Sequence, residues 1–154
     1  MLRVRGLLVP ALAALLAACK PTPPPTANDL AYPVLVLWEA GGVVRHDDAK
    51  DLQVMSTGRV VNANSPPFLV DSRLDVYRLD KLASTHGGMW LMANPVGRTD
   101  VTFELALEKQ GDAELARRLI AERDVDFRYQ GDAAAKEKLA QSRTLAQMLD
   151  AIGR

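Results

Sequence analysis

Residues 101–108 alternate without a fault: Val101, Phe103, Leu105 and Leu107 fall on one side, Thr102, Glu104, Ala106 and Glu108 on the other. A period of two belongs to a β-strand with one face in a core and one toward water. Any fold of this chain must therefore contain a sheet. Upstream, residues 33–38 form an unbroken apolar run rich in β-branched side chains, the pattern of a strand covered on both faces. Gly41-Gly42 supplies a turn, and residues 43–45 a short returning partner. Further strands are expected at 59–62, 68–70, 73–78 and 88–93.

After residue 109 the character changes. The same four residues occur twice, as Gln110-Gly111-Asp112-Ala113 and Gln130-Gly131-Asp132-Ala133. In each, glycine interrupts the preceding element and aspartate caps a helix through its carboxylate. Residues 125–129 are expected to return as a strand between the two helices. Leu139 is out of phase with Leu145, Leu149 and Ile152, and Thr144-Leu145-Ala146-Gln147 has the form of a capping box. A break near Ser142 follows. Strands first and helices late predict an α+β domain over residues 32–154, a mostly antiparallel sheet followed by a β-α-β unit and C-terminal helices.

The N-terminus says where such a domain would reside. Arg3 and Arg5 precede an apolar stretch at 6–16, closed by the small residues Ala17 and Ala18 before Cys19. That is the layout of a secretory signal, and its apolar core is well short of the roughly 20 residues that span a bilayer. Leu16-Ala17-Ala18-Cys19 resembles the lipobox of bacterial lipoproteins. The resemblance implies cleavage after residue 18, lipidation of Cys19, and attachment to the membrane through that lipid. Lys20, where aspartate would favour retention at the inner membrane, implies a periplasmic domain anchored at the outer membrane. Residues 20–29 hold four prolines and no large apolar residue. Polyproline II geometry rises about 3.1 Å per residue, so residues 19–31 read as a lipidated tether reaching roughly 35 Å.

Charge and chemistry narrow the function further. The whole chain balances 19 basic against 19 acidic side chains, and losing Arg3 and Arg5 with the signal leaves a net of about −2. Such a balance offers no electrostatic footprint for nucleic acid. Cys19 is the only cysteine, so the domain must hold together without disulfides. His46-Asp47-Asp48 brings adjacent side chains that diverge, which suits a solvated turn better than a metal site. Ser84, Thr85 and His86 read as a polar turn, and no Gly-x-Ser-x-Gly elbow is present. Asp71 with Asp75, and Glu104 with Glu108, would stand about 13 Å apart on strands. Neither metal nor cofactor is expected. Trp38, Met89, Trp90 and Met92 are expected in the core, with a lipid or peptide groove as the other reading.

The polar face of the 101–108 strand, with Thr102, Glu104 and Glu108, is the candidate contact surface. The expectation is a non-catalytic, protein-binding lipoprotein with an envelope protein as partner. It would serve as an accessory factor of an envelope or secretion machine, or as an immunity protein against a toxin delivered to the periplasm. The alternative is an envelope enzyme acting on peptidoglycan or lipid.

Overall fold

The computed structural model describes residues 22–39 and 42–154; the signal segment expected at 1–18 and the expected lipidation site Cys19 lie outside the described residues. A 3-10 turn, Ala27–Asp29, leads into β1 (Val34–Trp38) and β2 (Gly42–His46). Then come α1 (Ala49–Leu52), β3 (Val54–Ser56), α2 (Thr57–Val61), β4 (Phe68–Val70) and β5 (Val76–Ser84). The short α3 (Gly88–Ala93) precedes β6 (Arg98–Lys109), and α4 (Ala113–Arg123), α5 (Val125–Gln130), α6 (Ala133–Gln141) and α7 (Leu145–Ala151) end the chain. The fold is α+β, and its six strands form one sheet in the order β2-β1-β4-β5-β6-β3 with every pairing antiparallel.

Strand β1 shows why its sequence is apolar throughout. Leu35 and Leu37 face a cluster with Val43, Val70, Val76 and the helical residues Ala116, Ile120, Leu145 and Met148. Val34, Val36 and Trp38 face a second cluster with Leu52, Met55, Leu69, Leu79, Val101 and Leu105. One face of the sheet thus carries the helices, and the other wraps around an interior of its own. The wrapping follows from chain length. A flat six-stranded sheet would set its outer strands roughly 24 Å apart. Yet the linker between β2 and β3, shortened by α1, spans at most roughly 20 Å. The sheet therefore curls, and its two outer strands approach each other.

The long β5–β6 hairpin carries a bulge between Asp80 and Ala83, with Lys81 at φ 52°. Along β6 the alternation holds for Val101 and Leu105, which are buried, but Leu107 is half exposed. β6 is paired on its outer side with β3 only along Arg98–Asp100, which leaves Leu107 on an open edge.

Several segments differ from expectation. Residues 125–129 belong to helix α5 rather than a strand, so no β-α-β crossover forms. Asp124 decides this by accepting from Phe127 N at 3.0 Å as its cap. Residues 59–61 lie in α2, whose last turn is closed by Asn62 donating to the Gly58 carbonyl. Residues 88–93 are helical because Met, Leu and Ala favour helix and no strand pairs with them. Part of the segment expected as a tether, residues 27–31, packs on the domain instead. Ala27 and Leu30 are buried in the second cluster, Ala31 N donates to Asp71 Oδ2, and the Tyr32 hydroxyl donates to Ala27 O. Burial there pushes the Tyr32 phenol up to about 12. Residues 27–31 are thus a strap on the domain.

The two Gln-Gly-Asp-Ala boundaries stand where the sequence predicts. Asp112 Oδ1 accepts from Leu115 N at 2.8 Å and Asp132 Oδ1 from Ala135 N at 2.7 Å. Their glycines serve different ends. Gly111 has φ 60°, a region that costs other residues strain. A Cβ on Gly131 would press on the Phe127 carbonyl. Thr144 and Gln147 form the capping box, and the break falls at Ser142. Asp112→Ala and Asp132→Ala should each lower stability by about 0.5–2 kcal/mol, read as a shifted urea midpoint. Two unshifted midpoints would contradict the capping role.

Candidate functional site

The polar face of β6 points outward, and its carboxylates are engaged. Glu104 accepts from Lys81 Nζ at 2.7 Å and Glu108 pairs with Arg78 Nη1 at 2.9 Å. Arg78 also reaches Asp80 at 2.7 Å. Exposed pairs of this kind contribute little to stability, and among the described residues they leave Thr102 as the unengaged polar member of the face. Asp71 and Asp75 are not separated along a strand as expected. They lie in the β4–β5 turn, where Arg73 bridges them at 3.0 and 3.4 Å.

His46 departs most from its expected place in a solvated turn. It ends β2 and is buried, because the curl of the sheet brings α1 over it. Its Nδ1 lies 3.1 Å from Asp51 Oδ2 and 3.2 Å from Asp51 O. Asp51 in turn accepts from Arg98 Nη2 at 3.0 Å, and the same nitrogen donates to Val54 O at 2.9 Å. The three side chains His46, Asp51 and Arg98 therefore stitch the β2 edge to the β3–β6 edge. Asp47 and Asp48 take no part: Asp47 pairs with Arg45 and Asp48 caps α1.

Burial pushes the His46 pKa below its ordinary value, outweighing the attraction of Asp51. Burial acts to raise the Asp51 carboxyl, but Arg98 and His46 together hold it below the usual range. A histidine whose folded pKa is lowered is stabilised in its neutral form. Its contribution is full above the unfolded pKa of about 6.5 and is lost as pH falls through that value toward the folded pKa. Stability should therefore decline from pH 7 to 5, and His46→Gln should flatten that decline in urea titrations. A wild-type protein that gained stability on acidification would show that Asp51 outweighs burial.

A cleft of about 480 Å³ opens beside this seam. It is walled by Trp38, Val44, Val54 and Met55, with Arg45, Arg59 and Arg98 among its polar groups.

Where β5 turns into β6, at the same Arg98 end of β6, stands an apolar tip. Residues 84–97 hold no Asp, Glu, Lys or Arg. Within them Met89 is 89 %, Met92 80 % and Val96 97 % exposed, and the larger Trp90 is 38 % exposed. The expectation of a core position holds for Trp38 and fails for Met89, Trp90 and Met92. In a helix without a covering layer Met89 and Met92 have little to pack against. Met89 and Met92 are carried outward on α3, and His86 stacks on Trp90 with ring centroids 4.1 Å apart.

The base of the tip is held by hydroxyls. His86 Nδ1 lies 3.1 Å from Thr99 Oγ1, which is 2.5 Å from Ser84 Oγ. Thr99 is buried, and its hydroxyl also donates to Asp100 O at 3.2 Å. This chain of contacts fixes the imidazole over Trp90; a nucleophile would need its oxygen turned to a substrate. The absence of charge over residues 84–97 is the sequence signal that could have located the tip. Comparison with protein-family models, curated proteins and solved structures finds no match.

Proposed function

We propose that the chain is a lipoprotein of the bacterial envelope, anchored through Cys19 at the outer membrane, whose periplasmic domain binds another envelope protein without catalysis. The single observation that carries the binding role is the uncharged tip with Met89, Trp90, Met92 and Val96 exposed. Aromatic and methionine side chains are enriched at protein interfaces and charges are depleted from their centres. The polar face with Thr102, Glu104 and Glu108 lies on the same β5–β6 hairpin and suits the rim of such an interface. Both versions of the role, an accessory factor of an envelope machine or an immunity protein, use a surface of this kind.

The test is made on the full chain in cells. Cys19→Ser should abolish fatty-acid labelling and release the protein from the membrane. A photo-crosslinking residue at Met89 should give one discrete protein adduct, while the same residue at Ala140 on α6 should not. Met92→Asp should reduce the adduct at least tenfold. Persistent labelling of Cys19→Ser would overturn the anchor. Absence of a protein adduct at Met89 would overturn the binding role. Hydrolysis of peptidoglycan or lipid by the purified chain, lost on His86→Ala, would favour the enzyme instead.

A further inference from the structure

The seam between the two outer strands has features that neither the anchor nor the tip explains. Among the described residues β2 pairs only with β1 and β3 only with β6, so each presents an unpaired edge toward the other. A peptide strand cannot simply add there, because His46, Asp51 and Arg98 bridge the gap with hydrogen bonds of 3.0–3.1 Å. What the bridges leave open is the cleft of about 480 Å³ and, on the far side of Arg59, a second of about 300 Å³ lined by Trp38, Glu39, Asn62 and Ser65. Arg59 lines both, and so does Trp38.

Arg59 is the unusual group. Its Nη1 is buried and has no hydrogen-bond partner among the described residues. A buried donor left unpaired is costly, and such groups ask for an explanation in water, ion or ligand. Nearby charges do not supply the partner. The Asp51 oxygens are spent on His46 and Arg98, Asp47 is spent on Arg45, and Glu39 accepts from the Ser65 hydroxyl. Three guanidinium groups thus line a cleft whose one carboxylate is already committed, and the neutral His46 adds no charge of either sign. Apart from Ser56, the rest of the wall is apolar: Trp38, Val44, Val54 and Met55. A volume of this size is typical of small-molecule sites, which pair an apolar lining with a few placed polar groups.

We infer that this cleft binds a small amphiphilic anion, with a carboxylate or phosphate head on Arg59 and a short apolar body against Trp38, Val44, Val54 and Met55. The guanidinium fork matches either oxyanion in the same two-pronged way, so head chemistry is left to the arms of the test. Arg45 and Arg98 flank the head and favour its charge, while their own partners keep them in place. The ligand would also fill the seam and hold the two outer strands together, so binding should raise thermal stability.

The probe is the intrinsic fluorescence of Trp38 in the full chain carrying Trp90→Phe, held in a non-ionic detergent. Hexanoate and hexyl phosphate are titrated separately, with hexanol and inorganic phosphate as controls. A saturable change with at least one of the two anions is expected, with hexanol and inorganic phosphate at least tenfold weaker. Arg59→Met should weaken the bound anion at least tenfold, and Arg59→Lys should fall between. Should Arg59→Met fail to fold, the comparison of hexanoate with hexanol on the unaltered site still decides. Equal binding of hexanol would reduce the site to an apolar cavity, equal binding of inorganic phosphate would remove the role of the apolar wall, and no saturable change with either anion would overturn the proposal outright.

Discussion

Asp71→Ala should destabilise the domain by about 3–5 kcal/mol, the largest loss expected from any single polar substitution here. Asp71 is fully buried, and its carboxylate serves three residues at once. Oδ1 accepts from the backbone N–H groups of Arg73 and Asp75 at 2.9 and 3.0 Å. Oδ2 accepts from Ala31 N at 3.1 Å and from Arg73 Nη2 and Nε at 3.0 and 3.2 Å. Truncation would leave several donors in the turn unpaired and Arg73 without its strongest partner. The turn is already under strain, since Leu74 sits at φ 65° with its side chain buried. Asp71→Asn keeps one accepting oxygen and should lose roughly half as much. Urea unfolding of both variants reads the effect, and a loss below about 1 kcal/mol for Asp71→Ala would show that water replaces the carboxylate.

Deleting residues 22–31 should cost about 3 kcal/mol, although the segment looks like part of a linker. Leu30 is buried against the second cluster, and full burial of a leucine is worth about 1.5–3 kcal/mol. Ala27 adds a smaller burial, and the loss of Ala31 N removes one donor from Asp71. The comparison is between urea midpoints of the whole chain and of the deletion. Leu30→Ser within the whole chain should reproduce more than half of the loss. Equal midpoints for all three would mean that the strap contributes nothing and that the domain begins at Tyr32.

The accuracy of the sequence reading follows the range of the forces involved. Asp112, Asp132 and Thr144 cap helices within three residues of themselves, so their roles are visible in a window of four. Strand β1 and the buried Val101 and Leu105 of β6 are legible from apolar pattern alone, because that pattern is the burial. Short apolar runs are not. Residues 88–93 and 125–129 carry no period that separates a short strand from a helical turn, and neighbouring elements decided both. At 125–130 it was a buried cap, Asp124; at 88–93 it was the lack of any strand to pair with.

The candidate surfaces divide along the same line. The outward face of β6 could be read because alternation sets it, yet its ion pairs with Lys81 and Arg78 depend on a bulged register that no local pattern encodes. The tip was hidden because Met89, Trp90 and Met92 look like core until it is known that nothing covers them. The amino-acid sequence by itself determined strand β1, the buried side of β6, the helix caps and the uncharged stretch at 84–97. Tertiary structure alone decided how far the sheet curls, and hence that His46 meets Asp51 and Arg98 across a seam, that Ala31 reaches Asp71, and that Arg59 lies between two clefts. Hydrogen bonds and apolar contacts act over a few ångströms, so residues forty positions apart meet only where the whole chain has folded.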